Sequence, residues 1–395
     1  MESEYTQENV KNENNNQVQT EKTQNNSQKL QKPEIKPYYR FDDFGYDTDG
    51  KRRVYSGIKS LDYDLKGFEM GCLTIWTGFT NSGKTTVMTM LAKQTIKQGH
   101  RIFFFNGEQT KEDFKNNLYI QSVDKKDLIK VYSEDELGKE ADVYDVFVRK
   151  DKAAELEKEY GAMIYVYNNE NKRKIDKLLK VMDEMREKEK IKVFFLDNFM
   201  QIETNGFNVL QEQTEIMEKL RTFAVNKGVH IHLVAHPRKT LQFQVRLDLF
   251  DVAGSSNLIN KAYNVVSIIR LDNLDQNKSD VKYILDKLYN EEGYRSGEVT
   301  TCLEVLKTKG NKTGFVGLKF DRETKTYCEA PKCIGEELEK QRKMLSLSNA
   351  TTKNKNKGDQ EENKEDDKKI NEILSKMPED SQVKIFDDDK EDLPF

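Results

Sequence analysis

The chain is poor in the residues that staple or punctuate small extracellular folds: among 395 residues there are four cysteines, six prolines and one tryptophan. Cys72, Cys302, Cys328 and Cys333 form no Cys-x-x-Cys pair and have no histidine close in sequence, which argues against a zinc framework or a disulfide scaffold and leaves buried free thiols as the expectation. No run approaches the roughly 20 apolar residues that cross a bilayer. The N-terminus, MESEYTQENVKNENNN, is too polar and acidic for a secretory or mitochondrial signal. A soluble protein of the cytoplasm, without a membrane partner, is the expectation. Nor is there an excess of positive charge, since 65 Lys and Arg face 69 Asp and Glu. The last 45 residues hold nine Lys against fourteen Asp or Glu, so the rest of the chain is close to neutral. Any contact with nucleic acid must then come from local loops.

What is present divides the chain. Residues 1–36 lack apolar periodicity and carry asparagine runs, the pattern of a disordered segment. Residues 37–55, with Tyr38, Tyr39, Phe41 and Phe44, read as a linker or docking segment that packs either on its own domain or on a neighbouring subunit. From 56 to 333 apolar strands alternate with amphipathic helices. Strands are expected at Leu73–Thr77, Arg101–Phe105, Met163–Tyr167, Val193–Leu196, Val229–Ala235, Val265–Leu271, Thr301–Leu306 and Phe315–Phe320. A helix follows from Thr86 to Lys97, with Val87, Met90, Leu91 and Ile96 on one face and Gly99 placed as its terminator. A second stripe, Ile175, Leu178, Leu179, Met182 and Met185, marks a helix packed on the core. Between Gln109 and Lys190 the remaining chain reads as charged helix around one strand. The fold class is α/β, with a mainly parallel sheet finished by a C-terminal hairpin. Residues 334–395 read as a flexible acidic tail.

The chemistry concentrates first in Gly78-Phe79-Thr80-Asn81-Ser82-Gly83-Lys84-Thr85, followed by Thr86 and set between a strand and a helix. Glycines let backbone N–H groups turn inward around phosphates at a helix N-terminus; Lys84 neutralises phosphate charge and Thr85 holds Mg²⁺. The implied ligands are ATP or another nucleoside triphosphate, with Mg²⁺. Such a site needs a carboxylate at a neighbouring strand end to organise Mg²⁺, and Asp197 closes the apolar run Val193–Leu196. It also needs a group to activate water; Glu108 stands just past a strand, with Glu112 and Asp113 as competitors. His236 ends the run VHIHLVAH at the edge where α/β sheets bind ligands and is a candidate sensor of the terminal phosphate. His230 and His232, in register with it, lack a carboxylate partner and read as structural.

Taken together, the segments GIKSLDYDLKGFEMGCLTIWTGFTNSGKTT, FFFNGEQ, VFFLDNFMQI, LRTFAVNKGVHIHLVAHPRK, DVAGSSNLINKAYNVVSIIR and LKTKGNKTGFVGLKF resemble, in that order, the helicase domain of the Twinkle and bacteriophage helicase-primase family. Bacterial DnaB is a more distant relative. The resemblance covers Ser56 to Thr326 and implies a RecA-like P-loop NTPase core. It implies a homohexameric ring with ATP between subunits and single-stranded DNA in the central channel, travelling 5′ to 3′. Lys84, Thr85, Glu108 and Asp197 would serve one face of each site, and a cationic pair from the neighbour the other. That pair reads Lys307 and Lys309 here, a lysine where the family has an arginine that spans phosphate oxygens with its planar fork. Lys312 or Arg322 are the other cations that could contribute. The resemblance assigns DNA contacts to Asn205, Gly206 and Asn208, and to Arg238, Lys239, Gly254, Ser255, Ser256, Asn257 and Lys261. Many relatives carry a primase domain upstream, for which the residues before the motor leave no room, so priming is expected either to come from another protein or not to be needed.

The C-terminal run ends in Asp392-Leu393-Pro394-Phe395 and is similar to the acidic tip of bacterial single-stranded-DNA-binding proteins. A terminal aromatic carboxylate behind acidic residues suits an apolar pocket rimmed by cations, with DNA polymerase or another replisome protein as the expected partner. Two further readings stay open, a RecA-like recombination filament and a regulatory ATP-switch ring. The histidine-ended strand and the GSSN segment favour the helicase over the filament; Lys309 keeps the switch ring in play.

Overall fold

The computed structural model describes residues 52–134, 140–206, 208–237, 244–252, 256–272, 274–309 and 311–342. A short antiparallel pair, β1 (Arg53–Val54) with β2 (Phe68–Glu69), stands apart from the framework, a nine-stranded sheet built on runs in which every residue is buried. These are β3 (Leu73–Thr77), β4 (Ile102–Asn106), β8 (Val193–Asp197) and β9 (His230–Val234). In β4 and β8 apolar residues stand at both phases because helices cover both faces of a parallel sheet. With β7 (Ile164–Val166), β10 (Asn264–Arg270), β11 (Thr301–Thr308), β12 (Gly314–Asp321) and β13 (Thr326–Glu329), the order is β13-β12-β11-β10-β3-β9-β8-β4-β7. The six strands from β10 to β7 run parallel, and the sheet continues with antiparallel pairings of β11 to β10, β12 to β11 and β13 to β12.

Successive residues of each central strand feed opposite cores. Trp76, Phe104 and Phe195 face one layer with α1 (Lys59–Leu65), α2 (Lys84–Lys97), α3 (Lys111–Ile120) and α4 (Lys150–Tyr160). Ile75, Phe103, Phe105, Phe194 and Leu196 face the other, with α5 (Ile175–Glu189) and α6 (Val209–Lys227). The period of two along the strand is therefore present, hidden by apolar residues at both phases. Gly99, at φ +82 just beyond the end of α2, is the helix terminator its position predicted. Within the α5 stripe Ile175, Leu178 and Met182 are buried, with Leu179 and Met185 packed against them.

Three expectations are corrected. The stretch between Gln109 and Lys190 contains an antiparallel hairpin, β5 (Leu128–Glu134) with β6 (Glu140–Val148), which the sequence reading had assigned to charged helix. Its outward side carries Ile129, Val131 and Phe147, each more than two-fifths exposed, so apolar residues occupy both phases and no clean strand period exists. Its base is tied to the turn between β12 and β13 by Lys125–Asp321 at 2.8 Å and Lys130–Glu323 at 2.8 Å. Cys328 is exposed, unlike buried Cys302 and Cys333, because it lies on the outermost strand, β13. The folded body also passes the expected boundary at 334. Residues 336–342 are helical, and the Gln341 amide donates to the carbonyls of Tyr289 (3.0 Å) and Tyr294 (2.8 Å). Among the described residues no helix is long and apolar enough to cross a membrane.

Candidate nucleotide site

Parallel strands bring their C-terminal ends to one edge of the sheet, so loops distant in sequence meet there. Beyond β3 lies the glycine loop, beyond β8 Asn198, beyond β4 Gly107 and Glu108, and beyond β9 His236. Pairing sets their level: Asn106 lies opposite Asp197, Leu196 opposite Leu233, and Trp76 opposite Val234.

The loop needs its glycines at two positions in particular. Gly78 has φ +149, and a Cβ there would lie 2.5 Å from the Ile268 carbonyl oxygen and 2.5 Å from Ser82 Oγ. Gly83, which caps α2, has φ +91, and a Cβ would meet Tyr327 Oη at 2.2 Å. Asn81 also sits at positive φ, +63, a conformation asparagine tolerates. Lys84 curls over the loop, donating to the carbonyl oxygens of Gly78 (2.9 Å) and Phe79 (2.8 Å). The Thr86 carbonyl accepts from the Gln121 amide at 3.2 Å, fixing the first turn of α2 against α3.

Electrostatically the site is strained in both signs. Burial holds the Lys84 ammonium below its ordinary pKa, although Asp197 and Glu108 pull the other way. Burial likewise pushes the Asp197 carboxyl up to about 6; the Thr85 hydroxyl and Lys84 oppose that rise and Glu108 adds to it. Ser82 Oγ, Thr77 Oγ1 and Asp197 Oδ2 are buried with no hydrogen-bond partner among the described residues. Buried polar atoms of this kind are rare unless something completes them. A hydroxyl and a carboxylate side by side form a hard-oxygen donor set that fits Mg²⁺, with Thr85 and Asp197 as its holders. Among the described residues no cluster of three His, Cys, Asp or Glu side chains could hold a metal by itself, and Mg²⁺ in nucleotide sites takes few protein ligands.

Glu108 is anchored from two sides. The Gly107 N–H donates to the Asp197 carbonyl oxygen at 2.6 Å, and the Gln109 N–H donates to Asn106 Oδ1 at 3.0 Å. The Glu108 carboxylate accepts from the Asn198 amide, and His236 Nε2 lies 2.9 Å from Asn198 Nδ2 and 3.3 Å from Glu108 Oε1. The competitors are placed elsewhere: Glu112 is exposed on α3, and Asp113 forms the cap of that helix with Thr110. His230 and His232 are buried within the sheet; His230 Nδ1 lies 2.7 Å from the Glu69 carbonyl oxygen, and His232 Nδ1 accepts from Trp76 Nε1 at 3.2 Å. Sequence reasoning passed over Asn198 and Tyr327. Only the adjacency of Asn198 to Asp197 could have pointed to the first, and nothing local pointed to the second.

Lys307 and Lys309 do not join this site within one chain. Asn264 pairs with both Thr308 and Thr74, which puts Lys309 beyond the starting end of β3, whereas the glycine loop follows its finishing end. Five residues of strand between those levels amount to roughly 16 Å. Lys307 donates to the Ile259 carbonyl oxygen at 2.5 Å, and burial, with Lys309 nearby, lowers its pKa; Lys309 is exposed.

The residues assigned to DNA are scattered in state. Asn205 and Gly206 are exposed; the Asn205 N–H donates to Glu212, and Gly206 has φ +85. The Asn208 side chain caps α6 by accepting from Gln211 N at 3.2 Å. Ser256 and Asn257 open the short helix α7 (Ser256–Lys261), and Lys261 is paired with Glu218. Arg238, Lys239, Gly254 and Ser255 lie outside the described residues, as do Asp392, Leu393, Pro394 and Phe395.

Phosphate loop, strand-end carboxylate and anchored glutamate at one edge of a mainly parallel sheet have the arrangement of a P-loop nucleotide site. Residues 53–329 match the family model of the DnaB-like helicase C-terminal domain, and the chain belongs to that family. Among solved structures, a DnaB-like replicative helicase described together with its interactions with primase aligns with a TM-score of 0.55 at 16% identity, over 70% of this chain and 62% of that one. The chain thus spans less than two thirds of that helicase. An ATPase domain aligns with a TM-score of 0.54 at 16% identity, over 72% of this chain and 94% of that one. At such identity both likenesses speak to the fold. No curated protein matches.

Proposed function

We propose that this chain is the motor of a replicative DNA helicase, a homohexameric ring that hydrolyses ATP with Mg²⁺ and moves 5′ to 3′ on single-stranded DNA. The observation that carries the reading is the meeting of Lys84, Asp197, Glu108 and His236 at one sheet edge in a chain of the DnaB-like family. Lys84 and the loop amides bind and orient the phosphates, and Glu108 takes the proton of the attacking water. His236, a polar tip on the next strand, lies where it can respond to the terminal phosphate. Mg²⁺, when bound, supplies Lewis-acid neutralisation of phosphate charge.

The placement of Lys307 and Lys309 at the opposite end of the sheet supports a site completed by a neighbouring subunit, since their own chain cannot bring them to its loop. DNA contact through Asn205, Gly206, Asn208, Arg238, Lys239 and the 254–261 segment rests on the resemblance, as does the direction of travel. So does docking of DNA polymerase or another replisome protein by Asp392 to Phe395. The deciding assay is unwinding of a forked duplex with ATP and Mg²⁺, with Lys84→Ala as control. Strand separation lost in the variant is expected. Filament formation with strand exchange and no unwinding would overturn the reading in favour of a recombination protein.

A further inference from the structure

Three loops at the strand tips converge on one buried amide. Asn198 is fully buried where the chain leaves β8, while the two side chains it meets, Glu108 and His236, are 42% and 30% exposed. Exposed side chains on separate loops have rotamer freedom that a reaction needing sub-ångström placement cannot tolerate. What restrains them is the hydrogen-bond arithmetic of asparagine, which has one carbonyl acceptor and two amide hydrogens. The acceptor is committed: Asn198 Oδ1 takes the Met200 N–H at 2.8 Å, capping the short 3₁₀ turn Phe199–Gln201. That bond fixes which way the amide faces, so Nδ2 must point to the opposite side. There it donates to Glu108 Oε1 and lies 2.9 Å from His236 Nε2. His236 Nε2 also lies 3.3 Å from Glu108 Oε1, so the buried amide, the carboxylate and the ring meet in one three-way contact.

We propose that Asn198 is a positioning residue for hydrolysis, one that aims Glu108 and links it to His236 so that the two strand tips act together. The inference rests on the reading of the chain as an ATP hydrolase and deepens it. A residue serving only as a cap could be serine, aspartate or asparagine with little difference. Serine is too short to hold two partners on its far side, and aspartate has no hydrogens to give and sets a second carboxylate against Glu108.

The test uses the full-length protein with ATP and Mg²⁺. Asn198→Ser is expected to lower kcat on the order of 100-fold, with KM and nucleotide affinity within about twofold. Its thermal midpoint should stay near that of the parent, because the cap survives. Asn198→Asp, which keeps both shape and cap, is expected to lose turnover too and so gives an answer should the serine variant fold poorly. In the double variant Asn198→Ser with His236→Ala the losses should overlap rather than multiply, since the histidine acts through the amide. Turnover within twofold of the parent in either single variant, or multiplying losses in the double, would overturn the proposal. Failure of the underlying reading is a separate result: parental turnover that survives Lys84→Ala.

Discussion

Removing the Arg246 guanidinium exposes how the antiparallel side of the sheet is held. Glu304 lies in the middle of β11 with only 4% of its side chain exposed, and Arg246 grips it from a loop. Nε reaches Oε1 at 2.8 Å and Oε2 at 3.1 Å, and Nη2 reaches Oε1 at 2.6 Å. The guanidinium also lies 5.1 Å from the centre of the Tyr283 ring. Taking one partner from a fully buried pair costs about 3–5 kcal/mol. Arg246 is a third exposed, so water recovers part of that, and about 2–3 kcal/mol is expected for Arg246→Ala. Burial already raises the Glu304 pKa, with Arg246 opposing and Asp248 adding. A carboxylate with a raised folded-state pKa favours the fold below its unfolded value, near 4.5, and loses that contribution as pH rises through the folded value. Without Arg246 the folded value climbs further, so the cost of the substitution should grow from pH 5 to pH 8. Calorimetric unfolding at both pH values measures it, and Arg246→Met with Glu304→Gln should recover most of the loss. A cost below about 1 kcal/mol at pH 8, or one independent of pH, would refute the argument that a stranded buried charge is responsible.

Two other outcomes follow from the site and its floor. Glu108→Gln keeps an acceptor for Asn198 but removes the base, so turnover should fall on the order of 10²–10⁴-fold with nucleotide affinity retained; single-turnover hydrolysis beside a binding titration checks this, and an unchanged rate would reassign the base. Burial holds His230 down to about 4 and His232 well below its ordinary value. The unfolded chain takes up protons that the folded one refuses, so stability should fall as pH drops from about 6.5 to 4, by about 3 kcal/mol for His230 alone. Urea titrations read by the fluorescence of Trp76, the single tryptophan and the hydrogen-bond partner of His232, should show it. His230→Gln should flatten that slope, and an equally steep slope in the variant would assign it to other groups.

The phosphate loop was legible because its chemistry is local: eight consecutive residues contain the glycines, the lysine and the threonine that phosphates require. The central strands were legible too, since five buried residues in a row at β3, β4, β8 and β9 have few alternatives. Glu108 and Asp197 could be placed once strand ends were known. What stayed hidden depends on contacts far along the chain. Asn198 meets partners 90 and 38 residues away. Tyr327 closes over Gly83 from the opposite end of the domain. The β5 and β6 hairpin escaped because Ile129, Val131 and Phe147 put apolar residues on its solvent side, erasing the period that identifies strands.

The sheet explains why the strand-tip groups and the outlying lysines separate so cleanly. In a parallel sheet every strand tip faces one way, so the glycine loop, Glu108, Asn198 and His236 share an edge without any special loop geometry. The antiparallel return of β11 beside β10 sends the next strand the other way, and its end, with Lys307 and Lys309, must emerge at the opposite edge. Charge follows the same division. At the tip edge Lys84 and Asp197 are both buried against their preference, and each partly offsets the other. At the far edge Lys309 is exposed and free of that burial cost. Lys307, by contrast, is half-buried and donates to the Ile259 carbonyl oxygen at 2.5 Å.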